Sequence, residues 1–255
     1  MATQRKEAQT GMVYRGSKSA YAKQISAVVQ NLIADRKQFV DMFCGGCSVT
    51  CAIPQNIKRI ANDMNPYLMA LLRWYQSGNK FQVPVTSEAH KKASEIIKSQ
   101  LRHTGGTPKV DLTHPETLKD MAYLGWCMYV GSIGGEFLGR FCGRTKESAR
   151  DGSYYNDAQL VKTAEQLKNV TLTCYDYREM KLKLPSVIYC DPPWKGLQGY
   201  ALSLYNTNQF YEWCGAMKKE GHTILLNEVS APSEQFKRIT SPGSFSSSFG
   251  LFLAI

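Results

Sequence analysis

Apolar and polar positions follow two rhythms along this chain. Residues 19–36, SAYAKQISAVVQNLIADR, return to apolar residues with helical spacing, which predicts an amphipathic helix. QFVDMF, 38–43, is short and apolar and predicts a buried strand; GGCSVT then turns into a short helix. IKRIANDMN, 57–65, predicts a second strand that ends at Asp63. Pro66 opens a helix over 66–77, because proline suits the first helical position. The alternation resumes near the other end. A helix is expected at 156–168, strands in NVTLTCYD and SVIYCD, a helix at 206–220 and a strand in HTILLNE.

Between these halves the rhythm breaks. Residues 78–118 contain Gly78, Pro84, TGGTPK and DLTHPE around an expected helix at 87–102, and 116–130 reads as an apolar helix. VGSIGGEFLGRFCGRTKESARDGSYYND follows, rich in glycine and arginine, and predicts a loop or hairpin with little core. There is no internal repeat. The expectation is an α/β fold with a doubly wound, mostly parallel sheet. Residues 1–77 and 156–255 would form one domain, and 78–155 an inserted, mainly helical module.

Composition changes the picture in three places. The 255 residues are 43% hydrophobic, enough for an ordinary core, and carry a net charge of +10 from 31 Lys+Arg against 21 Asp+Glu. Such a surface is either simply solvated or fitted to a polyanion such as nucleic acid. No apolar run approaches the roughly 18 residues that a membrane span needs. The polar start MATQRKEAQTG lacks an apolar leader core, so a cytoplasmic protein is expected. The eight cysteines are expected to be reduced. Cys44 and Cys47 form C-x-x-C near Cys51, but no second pair or nearby histidine completes a site, and no metal is expected.

Candidate chemistry sits at strand ends. In FVDMFCGGCSV, glycines including Gly45 follow a strand and precede a helix, where backbone approaches a ligand closely. Asp41 lies within the strand pattern, where an unpaired carboxylate is costly. It is expected to accept from a cofactor amino group or from backbone N–H groups of the loop. Phe43 is either core or cofactor wall. Roughly 20 residues after the glycines, Asp63 ends a strand and suits ribose hydroxyls. The complete G-x-G-x-x-G pattern is absent. VIYCDPPWKG, 187–196, ends a strand on Asp191 and then fixes φ at Pro192 and Pro193. Asp191 and the Pro193 carbonyl make two acceptors beside the flat face of Trp194. A planar base bearing an exocyclic amine fits them, provided that it is flipped out of the duplex.

Taken in order, these motifs resemble Dam-like, alpha-group DNA adenine-N6 methyltransferases, including those of phage type. YRGSK, with Tyr14 and Lys18, resembles the Y-x-G-x-K motif that helps hold S-adenosylmethionine. FVDMFCGGCSV resembles the loop under its methionine part, and ANDMNPYL the motif whose acid binds the ribose. CYDYRE resembles the segment flanking the cofactor's adenine, with Asp176 and Tyr177 as contacts. DPPW resembles the catalytic D-P-P-Y. The resemblance implies S-adenosylmethionine as cofactor, S-adenosylhomocysteine as product, double-stranded DNA as partner, and a monomer or weak dimer. Arg140, Arg144, Lys146 and Arg150 of the insert would then contact DNA, with Lys195 near the target's phosphates. Three departures stand out. Trp194 replaces tyrosine, Cys47 replaces a glycine and is tolerable there at negative φ, and only GLFLAI offers a strand for the usual closing antiparallel pair. Cytosine-N4 or RNA methylation, and a catalytically weak DNA-binding homologue, remain the alternatives.

Overall fold

The computed structural model describes residues 10–33, 38–104, 108–142, 153–154, 156–193, 205–240 and 250–255. Seven strands form the main sheet in the order β5-β2-β1-β6-β7-β9-β8. They are β1 Gln38–Asp41, β2 Lys58–Asn62, β5 Val170–Thr173, β6 Ser186–Cys190, β7 Thr223–Glu228, β8 Phe236–Arg238 and β9 Gly250–Ala254. β5 through β7 run parallel, and β9 is antiparallel to both β7 and β8. A separate antiparallel pair joins β3 Val85–Thr86 to β4 Ser153–Tyr154.

The period-two alternation of strands assigns each residue a face. Phe39, Val187, Tyr189 and Leu225 point one way, where α1 (Ala22–Leu32) and α2 (Ser48–Ala52) cover them with Ile25, Val29, Val49 and Ile53. Val40, Ile188, Cys190, Ile224 and Leu226 point the other way, onto Phe210, Cys214 and Met217 of α7 (Thr207–Lys219). Helices therefore cover both faces of a doubly wound, mostly parallel sheet.

A third cluster spans α3 (Pro66–Gln76), α4 (Ser87–Thr104), α5 (Pro115–Tyr129) and α6 (Ala158–Gln166). It is continuous from Leu68, Leu71 and Leu72 to Trp126 and Leu160. The helices of 78–155 thus share a core with α3. α5 crosses α3 at Gly125, where a Cβ would lie 2.2 Å from the Tyr67 carbonyl oxygen.

The closing antiparallel pair is present. Its inner strand is GLFLA, as expected, and its partner is Phe236–Arg238. That second strand escapes a periodicity reading because it is three residues long and only Phe236 is buried.

Candidate active site

Strand order reverses between β1 and β6, and open α/β sheets bind ligands beyond the carboxyl ends at such a point. Register sets what meets there. Asp41 pairs with Tyr189, and Cys190 with Leu226. Asp191, one residue past β6, therefore stands level with Asn227 of β7. Asp63 lies one residue past β2 on the other side.

The loop from β1 to α2 is tied down by backbone. Met42 N–H donates to the Tyr189 carbonyl at 2.9 Å, and Cys44 N–H to the Asn62 carbonyl at 2.8 Å. Gly45 has φ +47°, and a Cβ there would meet the Tyr14 ring at 2.8 Å. The condition set for Cys47 is not met. It has φ 59°, not a negative value, because it closes the turn by donating to the Cys44 carbonyl at 2.7 Å. A non-glycine residue there costs roughly 1 kcal/mol, and burial of Cys47 against the α3 side offsets the strain. The segment carrying YRGSK crosses above this loop. Met12 N–H donates to the Gly46 carbonyl at 2.9 Å, and Lys18 N–H to Ser48 Oγ at 3.2 Å.

Asp191 is held at both oxygens. Lys18 Nζ lies 2.5 Å from Oδ2, and Asn227 Nδ2 donates to Oδ1 at 2.8 Å. Pro192 is buried and Pro193 partly exposed. Asp63 accepts from Gly45 N–H at 3.1 Å and from Asn65 N–H at 2.9 Å, one bond to each oxygen. Burial raises its carboxyl above the usual range, against those two bonds. It remains partly exposed, and one bond to each oxygen leaves both with acceptor capacity.

Asp41 behaves differently. Thr50 Oγ1 donates to its Oδ2 at 2.6 Å, while Oδ1 is buried without a partner among the described residues. Burial pushes its carboxyl up to about 7; the Thr50 bond opposes this, and the Asp191 and Asp63 charges add to it. The folded chain thus binds this proton more tightly than the unfolded chain, whose carboxyl titrates near 3.8. Stability from this group is complete below about pH 4 and is lost as pH rises to about 7. A rise of that size is worth up to about 4 kcal/mol. Asp41→Asn keeps an acceptor for Thr50 and removes the charge. The variant is expected to exceed the parent in urea-unfolding stability at pH 8, with the gap closing towards pH 4. A gap that does not vary with pH would remove Asp41 as its source.

On the far side of the glycine loop, Asn62 uses its whole amide. Nδ2 donates to the Met42 carbonyl at 3.1 Å and the Tyr175 carbonyl at 3.0 Å. Oδ1 accepts from Thr173 Oγ1 at 2.9 Å and Tyr175 N–H at 3.0 Å. This bracket fixes the chain after β5 beside the loop after β1. Phe43 lies partly buried there, its ring centroid 5.7 Å from Tyr177 and 5.8 Å from Phe210. Tyr177 itself is buried. Asp176 accepts from Arg178 N–H at 2.9 Å and Nη2 at 2.6 Å. Burial pushes its carboxyl up, but Arg178 outweighs this and holds it below the usual range. Tyr175, half exposed, is the aromatic beside this bracket that the sequence pattern did not single out.

The fold therefore brings together Tyr14, Lys18, Asp41, Gly45, Asp63 and Asp191, and sets Phe43 and Tyr177 in one aromatic wall. Arg140 is exposed and its carbonyl accepts from Ile133 N–H at 3.0 Å. Trp194, Lys195, Arg144, Lys146 and Arg150 lie outside the described residues. Asn227 and Asn62 were missed. Each is a polar residue inside an apolar strand run, at the same carboxyl end as Asp41, and that position was the available signal.

Among the described residues no cluster of His, Cys, Asp or Glu is arranged to hold a metal, and no helix is long and apolar enough to cross a membrane. All eight cysteines are free.

A seven-stranded sheet with its antiparallel closing strands, a glycine turn after β1 and acids at three neighbouring strand ends define the methyltransferase class of α/β folds. The chain belongs to the D12 class N6 adenine-specific DNA methyltransferase family, whose model matches residues 14–239. It is similar to the DNA adenine methylase of Serratia marcescens, 36% identical over 91 residues, which are 34% of this chain and 31% of that protein. It is also similar to the DNA adenine methylase of Escherichia coli K12, 34% identical over 114 residues, 44% of this chain and 36% of that protein. The matching stretches span about a third of the length of these curated relatives.

Proposed function

We propose that this protein methylates adenine N6 in double-stranded DNA, using S-adenosylmethionine, in the cytoplasm of a prokaryotic or phage-infected cell. The observation that carries the reading is the placement of Asp191. Its carboxylate sits at the switch point, bonded to Lys18 and Asn227, and its charge, like that of Asp63, bears on Asp41 at the end of β1.

The residues present fit the cofactor. Asp63 retains acceptor capacity for ribose hydroxyls. Asp41 offers a buried oxygen without a partner among the described residues. Gly45, packed under Tyr14, leaves the turn without a side chain. Asp63, Asp191 and Glu228, joined by Asp41 as it ionises above about pH 7, give the crevice a negative field that favours a cation. S-adenosylmethionine, when bound, supplies an electrophilic methyl group on a positively charged sulfur.

The chain's own work is positioning and electrostatics. An extruded adenine stacks on Trp194 and presents its amine to Asp191 and the Pro193 carbonyl. The amine's lone pair is delocalised into the ring. A full negative charge on the acceptor favours the positive charge that builds on nitrogen during attack. Lys18 leaves Oδ2 as the amine arrives, so Asp191 exchanges one donor for another. Phe43, Asp176 and Tyr177 flank the cofactor's adenine. Residues 78–155, with Arg140, Arg144, Lys146 and Arg150, dock on the duplex, while 1–77 and 156–255 hold the cofactor.

The test incubates the protein with tritiated S-adenosylmethionine and unmethylated duplex DNA, then digests the DNA to nucleosides. Label in N6-methyldeoxyadenosine is expected. Label in N4-methyldeoxycytidine, or none in DNA, would overturn the reading.

A further inference from the structure

One buried residue at the end of β7 touches the proposed catalytic acid. Asn227 is fully buried. Its backbone lies in a central strand, paired with β6 on one side and β9 on the other. Asp191 is an acceptor, so the amide must present Nδ2 to it, as the 2.8 Å contact records. That orientation leaves Asn227 Oδ1 buried with no partner among the described residues. A side chain kept for packing alone gains nothing from stranding an acceptor. The two donors to Asp191 also differ in stiffness. Lys18 reaches Oδ2 on a long, flexible stem. Asn227 reaches Oδ1 on a short side chain anchored to the sheet. One oxygen is thereby clamped, and the other is held by a group able to withdraw.

We infer that Asn227 is a positioning residue that clamps the Asp191 carboxylate in its ionised form, so that Oδ2 faces the target amine. The inference rests on the adenine-N6 reading for its catalytic meaning. The charged and titratable groups coupled to Asp191 are Lys18 from the segment above the loop, Asp41 from β1, the neutral Tyr189 and Cys190 of β6, and Glu228 from β7.

Two variants test it. Asn227→Ala removes the clamp. Asn227→Asp preserves shape and replaces the donor by a second carboxylate. Both are expected to lower kcat about 30- to 100-fold and to leave the KM for S-adenosylmethionine within about threefold. In Asn227→Asp the acid limb of the kcat profile moves to higher pH, because adjacent carboxylates share a proton. A structural role alone would not move that limb. If the alanine variant fails to fold, the isosteric aspartate variant still decides. An Asn227→Asp enzyme with the parent's kcat and acid limb overturns the inference. A readout without turnover separates this from the function itself: the carbon-13 titration of the Asp191 carboxyl, assigned by its loss in Asp191→Asn. Its movement to higher pH in both Asn227 variants supports the clamp even if no adenine is methylated, and an unmoved titration overturns it.

Discussion

Asp191→Asn is expected to lower kcat for adenine methylation about a thousandfold, about 4 kcal/mol of lost transition-state stabilisation. Asparagine is the informative replacement. Side chains of Lys18 and Asp191 are only 12% and 14% exposed, so alanine would strand a largely buried ammonium. Asparagine leaves an acceptor in place and removes the charge. Its one carbonyl oxygen then faces two donors, Lys18 and Asn227, and offers the incoming amine a weaker, contested acceptor. In the proposed reading Asp63, Asp41 and the glycine turn hold the cofactor, and Lys18, which also serves it, keeps an acceptor in the asparagine side chain. Calorimetric affinity for S-adenosylhomocysteine is therefore expected to change by no more than about threefold, a small loss beside the effect on kcat. A variant that keeps kcat within tenfold would show that Asp191 is not the group the amine meets.

Gly125→Ala is expected to lower unfolding stability by about 3 kcal/mol, or a thermal midpoint about 10 °C lower. Helix propensity alone argues the opposite, since alanine is favoured over glycine by about 1 kcal/mol. Contact geometry decides. The added Cβ would sit 2.2 Å from the Tyr67 carbonyl oxygen and 3.2 Å from Leu71 Cβ. A backbone oxygen at that distance cannot turn aside, so α5 must move off α3. Trp126, fully buried beside it, would lose packing. Tyr129 at the end of α5 accepts from Asn65 Nδ2 at 2.8 Å, and Asn65 in turn donates its N–H to Asp63. The shift is therefore expected to reach the cofactor site and weaken S-adenosylhomocysteine binding. An alanine variant as stable as the parent in a thermal melt would show that the helices have room to spare.

Legibility of the fold followed the strength of local patterning. Strands 38–43 and 187–190 and helix 66–77 were readable because their apolar residues repeat without interruption, and the sheet was expected as found. Phe236–Arg238 was not, because a three-residue edge strand with one buried side chain has no period to detect. Cys47 suits its turn without strain only if its backbone can choose a negative φ. Hydrogen bonding within the turn removes that choice. Asp176 was matched by its place in a motif, yet the nearest cation, Arg178 two residues on, takes its carboxylate in the structure. Motif position carries no information on such local competition.

The candidate site divides along the same line. Chain order alone located Asp63 and Asp191 at strand ends, Asp41 within its strand and the glycines after it, because a strand's end and a turn's backbone demands are local properties. Which strand ends become neighbours depends on sheet order, and that is set by contacts between residues as far apart as Gln38 and Ser186. Only the folded chain brings Lys18 and Asn227, 209 positions apart in the numbering, onto opposite oxygens of one carboxylate. Side-chain type is written residue by residue, but the partner of a buried charge is chosen by packing that the whole sheet enforces.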